Sequence, residues 1–296
     1  MKINPLLGLT ALAVAALVLT SACAPADSGG SDGSGTSDKA AAATTLADCK
    51  PAALTLVKDG TLTIATDDPA YDPWFSDNDP TNGKGFESAV AYAVADKLGF
   101  AKDEVTWIKA GFNQVVQPGR KNFDFDINQF SISTKRAKAV DFSSPYYSVS
   151  QAIITLDSSK FAGATTLADL KEAKLGAQIG TTSLTAIDQI DPTTKPLVYD
   201  DTSKAGQALQ NKQVDAIVAD LPTAYYLTAA EIDGSKIVGE FQPTSGTQEK
   251  FGLLLSKGSA LTSCASAAVD ALAKDGTLAD LQATWLTSAT DVPELK

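Results

Sequence analysis

From Thr61 onward the chain alternates short apolar strands with segments of helical period, and from Leu167 it does so a second time. Thr61-Leu-Thr-Ile-Ala-Thr66 predicts a strand that Asp67-Asp68-Pro69 ends. Gly85 to Leu98 sets Phe86, Val90, Ala93, Val94 and Leu98 on one helical face before Gly99 closes it. Val105-Thr-Trp-Ile108 and Phe123-Asp-Phe-Asp-Ile127 predict two further strands. The second series has a short helix at Leu167–Leu170, a strand at Lys174–Ile179 and a helix opening at Gly180-Thr181-Thr182-Ser183. Thr202–Asn211 then predicts a helix, Val214–Ala219 a strand that ends in Asp220, and Pro222 the start of a helix through Tyr225 and Tyr226. Phe251–Leu255, a helix over Ala260–Lys274 and a last helix reaching about Trp285 finish the pattern. Such alternation is the mark of an α/β layer built on mostly parallel strands.

Polar residues fall directly after four of these strands: Asp67, Asn128 to Ser131, Gly180 to Ser183, and Asp220. In open α/β sheets, ligands bind outside the carboxyl ends of strands. Four polar strand ends in two series imply one cleft between two lobes.

The start of the chain gives an address. Met1-Lys2, an apolar stretch over Leu6–Leu19 and Thr20-Ser21-Ala22-Cys23 form a secretory signal. The stretch is too short for a membrane span of about 20 residues. The small-residue–Cys junction resembles the bacterial lipobox, with residues 1–22 removed and Cys23 acylated (palmitate among the chains). An ordinary secretory signal cut nearby is the alternative. From Ala24 to about Asp48 the chain is Gly, Ser, Asp, Thr and Ala, a composition that behaves as a flexible linker.

Composition removes whole classes of function. A net charge of −11 argues against a nucleic-acid partner, which needs a basic face. The sequence holds no histidine, so no Ser-His-Asp or Cys-His site and no His-ligated metal can form. Cys49 and Cys264 are the two cysteines left after Cys23. In an exported protein they are expected to form a disulfide, two buried free thiols being the alternative.

The cleft residues suit a free amino acid, which carries a carboxylate and an ammonium on one carbon. Arg136 can chelate the carboxylate in two-point fashion. Thr181 and Thr182, at a helix start, favour an anion. Asp220 can take the ammonium, Asp67 a polar or cationic side chain, and Tyr71 and Trp74 an apolar wall. Each has a blander reading: Arg136 as a solvated charge, the threonines and aspartates as caps and turns, the aromatics as packing.

Together these residues are recognisable. Asp124-Phe-Asp-Ile-Asn-Gln-Phe-Ser-Ile-Ser-Thr-Lys-Arg-Ala-Lys-Ala-Val-Asp-Phe-Ser-Ser-Pro-Tyr-Tyr147 closely resembles the signature of the family 3 extracellular solute-binding proteins, amino-acid receptors of ABC importers. Thr66-Asp67, Tyr71 and Trp74 are similar to that family's first ligand loop, Gln178-Ile-Gly-Thr-Thr182 to its second-lobe anion site, and Val214–Asp220 to the strand bearing the ammonium partner. Lys274-Asp-Gly-Thr-Leu278 and Trp285 match its C-terminal helices. The resemblance covers Leu54 to Leu286. Thr134 stands where the family usually has Pro, and Asn128-Gln129 where small residues are common.

The resemblance implies a two-lobe, type II periplasmic-binding-protein fold: lobe one over 54–150 and 248–296, lobe two over 151–247. The hinge would consist of two crossings, near Ser148–Ala152 and Gln242–Glu249. It implies that Ser131 and the backbone near Gln129 meet the ligand's carboxyl or amino group. The expected partners are a free amino acid with an amide or cationic side chain, an ABC permease, and the outer face of the cytoplasmic membrane through the Cys23 anchor. The expected chain is a monomer without cofactor or metal and not an enzyme. Rival readings are a prephenate or arogenate dehydratase on the same scaffold and a sensor for a membrane signalling partner.

Overall fold

A computed structural model describes residues 45–243, 248–286 and 292–296. The leader over 1–22, Cys23 and the tether up to residue 44 lie outside the described residues.

The first series builds β1 (Leu62–Thr66), α1 (Phe86–Leu98), β2 (Val105–Lys109), α2 (Phe112–Val115), β3 (Phe125–Asp126) and β4 (Val140–Val149). The second builds β5 (Gln151–Leu156), β6 (Leu175–Gln178), α3 (Thr182–Ala186), β7 (Leu197–Tyr199), α4 (Thr202–Gln210), β8 (Ala216–Asp220), α5 (Leu221–Tyr226) and β9 (Ser235–Phe241). β10 (Glu249–Ser256), α6 (Thr262–Lys274) and α7 (Thr277–Trp285) then return to the first. One sheet has the order β2-β1-β3-β10-β4, the other β7-β6-β8-β5-β9. We call each sheet with its helices a lobe.

In lobe one β1 runs parallel to β2 and β3 while β10 is antiparallel to β3 and β4. In lobe two β6 runs parallel to β7 and β8 while β5 is antiparallel to β8 and β9. The cause is topological. β5 and β10 each enter their sheet directly from the other lobe, on the side where the parallel strands end, and so must run against them. Only Ser150 separates β4 from β5.

Local chemistry explains the element ends. α1 starts at Gly85, whose φ is 90° and where a Cβ would lie 2.5 Å from the Trp74 carbonyl oxygen; no other residue fits. It buries Phe86, Val90, Ala91, Val94, Ala95 and Leu98, an i, i+4 stripe, against α6 and α7. The strand expected over Phe123–Ile127 contracts to Phe125–Asp126, and the one expected over Val214–Ala219 shifts to Ala216–Asp220.

Two boundaries differ from expectation. The tether expected to reach Asp48 gives way earlier: Leu46–Asp48 forms a helical turn, and Leu46 packs against the lobe-one core. Cys49 is bonded to Cys264 of α6, with Cα atoms 5.5 Å apart and 215 residues between them in sequence. At the other end, 248–296 does not belong wholly to lobe one. The Glu240 N–H donates to the Pro293 carbonyl at 2.9 Å, the Leu295 N–H to Glu240 at 2.8 Å, and the Leu167 N–H to Lys296 at 3.2 Å. Leu295 is buried in a lobe-two cluster. β9 is an edge strand with open backbone groups, and the chain end pairs with them. Gly239 permits this, since a Cβ there would meet Leu295 at 2.5 Å.

Candidate functional site

A cavity lies where the two lobes face each other. Lobe one lines it with Asp67 and Asp68 after β1, Tyr71, Phe112 of α2, Asn128 and Gln129 after β3, and Arg136. Lobe two adds Gln178 at the end of β6, Thr181 to Ser183 at the start of α3, Asp201 and Thr202 at the start of α4, and Asp220 and Thr223 around the β8–α5 junction. These are strand ends and helix starts, where side chains and unpaired backbone groups point out of the sheets.

Direct bonds join the lobes around it. Arg136 Nη2 donates to the Gly180 carbonyl at 3.0 Å, and Trp74 Nε1 donates to Thr223 Oγ1 at 2.9 Å. The hydroxyls of Ser131 and Thr182 are 3.2 Å apart. Gly180 stands at φ 77°, and a Cβ there would fall 2.1 Å from Asn113 Oδ1. The lobes are closed on one another in this structure.

Arg136 is held rather than solvated. Nη1 donates to the Ser131 carbonyl at 2.8 Å, and the guanidinium lies 5.3 Å and 5.9 Å from the ring centres of Phe112 and Phe130. Those rings stack at 4.7 Å. Burial lowers the Arg136 pKa, and Glu249 and Asp220 oppose that, so the cation stands in an acidic setting.

Asp220 is half-buried at the cavity wall. Burial pushes its pKa well above the carboxylate range, and Glu249 adds to the rise; Gln151 and Arg136 act against it. Gln151 Nε2 donates to Asp220 at 2.7 Å and to Glu249 at 2.8 Å, so one amide bridges two carboxylates. Glu249 also accepts from the Ser131 hydroxyl. Gln151 opens β5 and Glu249 opens β10, which places this network at the two crossings between the lobes.

A second acidic group, Asp67 with Asp201 nearby, lines the same cavity as Tyr71. Asp67 accepts from the N–H groups of Asp68 at 2.8 Å and Phe112 at 3.2 Å. Burial raises its pKa, with Asp68 and Asp201 adding to the rise. Asp68 is paired to Lys109 at 2.7 Å, and Asp201 to Lys204 at 3.2 Å. Among the described residues no cation is within ion-pair distance of Asp67. Burial, with Asp201 nearby, raises the Tyr71 pKa.

Of the residues picked out in the sequence, Asp67, Tyr71, Gln129, Arg136, Thr181, Thr182 and Asp220 converge on the cavity. Two do not line it. Trp74 is 1% exposed, edge-on to Phe86, Tyr147 and Phe251, so the apolar wall beside Tyr71 is Phe112 instead. Ser131 is buried under Glu249 and reaches Thr182 behind the surface. Thr181 carries its bland role as well: its hydroxyl accepts from Leu184 N–H and donates to the Gln178 carbonyl, capping α3. The Gln129 backbone N–H donates to Glu87, so it is not directed at a ligand. Sequence reading missed Phe112, Asp201, Thr202 and Thr223, and had Gln178 only as the first residue of the anion-site motif. Gln178 ends a strand and Asp201 caps α4, so the strand-end and cap rules pointed to both; nothing local marks Phe112.

A model of the bacterial extracellular solute-binding proteins, family 3, matches residues 62–288. The chain belongs to this family. It is 29% identical over 233 residues to the L-cystine-binding protein TcyJ of Escherichia coli K12, covering 76% of this chain and 82% of that one. It is 28% identical over 222 residues to the ABC transporter glutamine-binding protein GlnH of Bacillus subtilis, covering 72% and 77%. An ancestral arginine-binding protein bound to arginine superimposes with a TM-score of 0.63 at 32% identity, covering 77% of this chain and 99% of that one. The fold is thus the two-lobe, type II periplasmic-binding-protein fold, and the family places the chain outside the cytoplasm. Among the described residues no helix is long and apolar enough to cross a membrane, and no cluster of His, Cys, Asp and Glu is suited to hold a metal ion.

Proposed function

We propose that this chain is a receptor, not an enzyme, for a polar amino acid with an amide or cationic side chain, which it delivers to an ABC-type permease. The observation that carries this is the charge pattern of one closed cavity. Arg136 is the one cation among its lining residues, against Asp67, Asp68, Asp201 and Asp220. Arg136 and Asp220, close enough to influence each other, suit the carboxylate and ammonium of an α-carbon. Asp67 and Asp201, one from each lobe and near each other, with Tyr71 close to Asp201, suit N–H groups at the far end of a side chain. The second carboxylate of an acidic ligand would find no cation beyond Arg136 among the lining residues and would face Asp67.

Binding draws the lobes together because the contact set is complete only when both contribute. The permease then reads the closed form. A monomer held by acylated Cys23 on the tether that follows it, on the outer face of the cytoplasmic membrane, stays concentrated beside that permease.

A thermal-shift panel of the standard amino acids with ornithine, citrulline and cystine, on ligand-free protein, tests this reading. At a hundred times its dissociation constant a ligand adds about 2.7 kcal/mol of stability. Arg136→Ala and Asp220→Ala each remove the shift while the protein stays folded. If no amino acid raises the melting point, the receptor reading is wrong; if both variants keep the shift, the site is misplaced.

A further inference from the structure

The loop after β3 carries a conformation that a residue with a Cβ avoids. Gln129 stands at φ 48°, in the left-handed region. Its neighbours Asn128 and Phe130 are buried, so the loop has no solvent in which to relax. What holds it is Glu87, in the first turn of α1 and 0% exposed. Glu87 Oε1 accepts the Gln129 backbone N–H at 2.7 Å and also the Tyr146 hydroxyl, while Oε2 accepts Gln129 Nε2. Three donors therefore converge on one carboxylate, two from Gln129, 42 positions away, and one from Tyr146, 59 positions away. A carboxylate can accept all three at full strength, whereas a carboxylic acid or an amide gives up part of its acceptor capacity to its own hydrogen.

We propose that Glu87 is a positioning residue for ligand binding: its ionised carboxylate clamps Gln129 in the left-handed turn that presents the Asn128–Ser131 loop to the cavity. This rests on the receptor reading above. The acid groups facing Glu87 from the surrounding elements are Asp126 on β3, Tyr146 on β4 and Asp220 at the end of β8. Asp126 in turn faces Asp67 and Lys121, and Asp220 faces Glu249 and Arg136. No cation touches Glu87 itself among the described residues. Burial pushes its pKa up to about 7, and the three donors hold it from going higher. The clamp is thus half set near neutrality, and affinity falls as the solution is acidified through that point.

The test is titration calorimetry with L-arginine and L-glutamine as probes, at about pH 6 and about pH 8 on either side of the transition. Wild type, Glu87→Gln, Gln129→Gly and the double variant are compared, with ligand-free melting points as the folding control. Wild type should bind a probe roughly tenfold more weakly at the lower pH. Glu87→Gln should weaken binding about tenfold or more at the higher pH and lose the pH step. Glycine reaches φ 48° without a clamp, so Gln129→Gly should lose most of the pH step alone and should shrink the penalty of Glu87→Gln in the double variant. The Gln129→Gly result decides the matter even if Glu87→Gln fails to fold. The proposal is overturned if Glu87→Gln binds like wild type, if it keeps the pH step, if Gln129→Gly leaves that step undiminished, or if the two substitutions are simply additive. If neither probe binds, the amino acid with the largest thermal shift replaces them; binding by none overturns the receptor reading and this proposal with it, whereas the other outcomes strike the clamp alone.

Discussion

The two lobes share a sheet plan and differ in what fills it. Lobe one packs its core with Trp74, Phe75, Phe86, Phe100, Phe125, Tyr146 and Phe251, and is stapled by Cys49–Cys264. Its main helices, α1 and α6, each run 13 residues. Lobe two has a smaller, mostly aliphatic cluster on each face of its sheet, with Phe161 and Phe241 as its buried phenylalanines. Its helices α3 and α5 run 5 and 6 residues. Lobe one also buries Glu87, Asp126 and Glu249 close to the cavity, and Arg136 packs on its rings. Rigid aromatic packing can hold awkward charges in place; short helices offer chain ends and caps instead. The lesson is a division of labour: lobe one is a preorganised platform, and lobe two brings caps and Asp220 down onto it.

The disulfide gives the sharpest way to break this comparison. Closing so long a loop is worth about 5 kcal/mol in the chain-entropy model. Trp74, Trp107 and Trp285, the three tryptophans of the sequence, all belong to the lobe-one core or pack against it. The Cys49→Ala, Cys264→Ala double variant should therefore lower the tryptophan-reported melting transition further than the far-ultraviolet one. Equal shifts would mean that the staple does not distinguish the lobes. Next comes Arg136→Ala, which leaves Asp220 and Glu249 buried without their cation and should cost about 3 kcal/mol or more of ligand binding. Calorimetry reads this directly, and retained affinity would move the platform elsewhere.

Asp126 sharpens the picture of charges held in lobe one. It is wholly buried, neither carboxylate oxygen has a hydrogen-bond partner, and burial with Glu87 and Asp67 nearby raises its pKa well above the ordinary range. Above the unfolded-state pKa the unfolded chain releases this proton readily while the folded protein resists, so ionisation costs stability as pH rises. Asp126→Asn should raise ligand-free stability by about 1–3 kcal/mol near pH 8 and by progressively less as pH falls. Denaturant melts at several pH values measure the trend, and a gain independent of pH would contradict it. The smallest effect concerns the contact between lobes. Thr223→Val removes the acceptor for Trp74 Nε1 and should weaken ligand binding by about 1 kcal/mol, with little change in the ligand-free melt.

Much of this was readable in the chain. Helix periods marked α1 and α6, strand-end chemistry marked Asp67 and Asp220, the need for a carboxylate partner marked Arg136, and the even cysteine pair marked the staple. The rest depends on tertiary contacts that leave no local trace. Glu87 looks like an ordinary first-turn acid of α1, and only the fold brings Gln129 and Tyr146 to it. Trp74 looked like a ligand wall because an aromatic in a loop after a strand can face either way; the ring cluster around Phe251 turns it inward. The chain end at Leu295 carries no signal for its seat on β9, which exists because an edge strand happens to lie open there.

Central to all of this is recognition of an α-carbon carrying both charges, gripped from both lobes. Calorimetric titration of ligand-free protein with L-arginine, L-glutamine, their methyl esters and their Nα-acetyl derivatives probes that claim directly. At least one free amino acid should bind, and its ester and acetyl derivative, each lacking one of the charges that Arg136 and Asp220 meet, should not. Binding of the blocked derivatives as tightly as the free amino acid would contradict it.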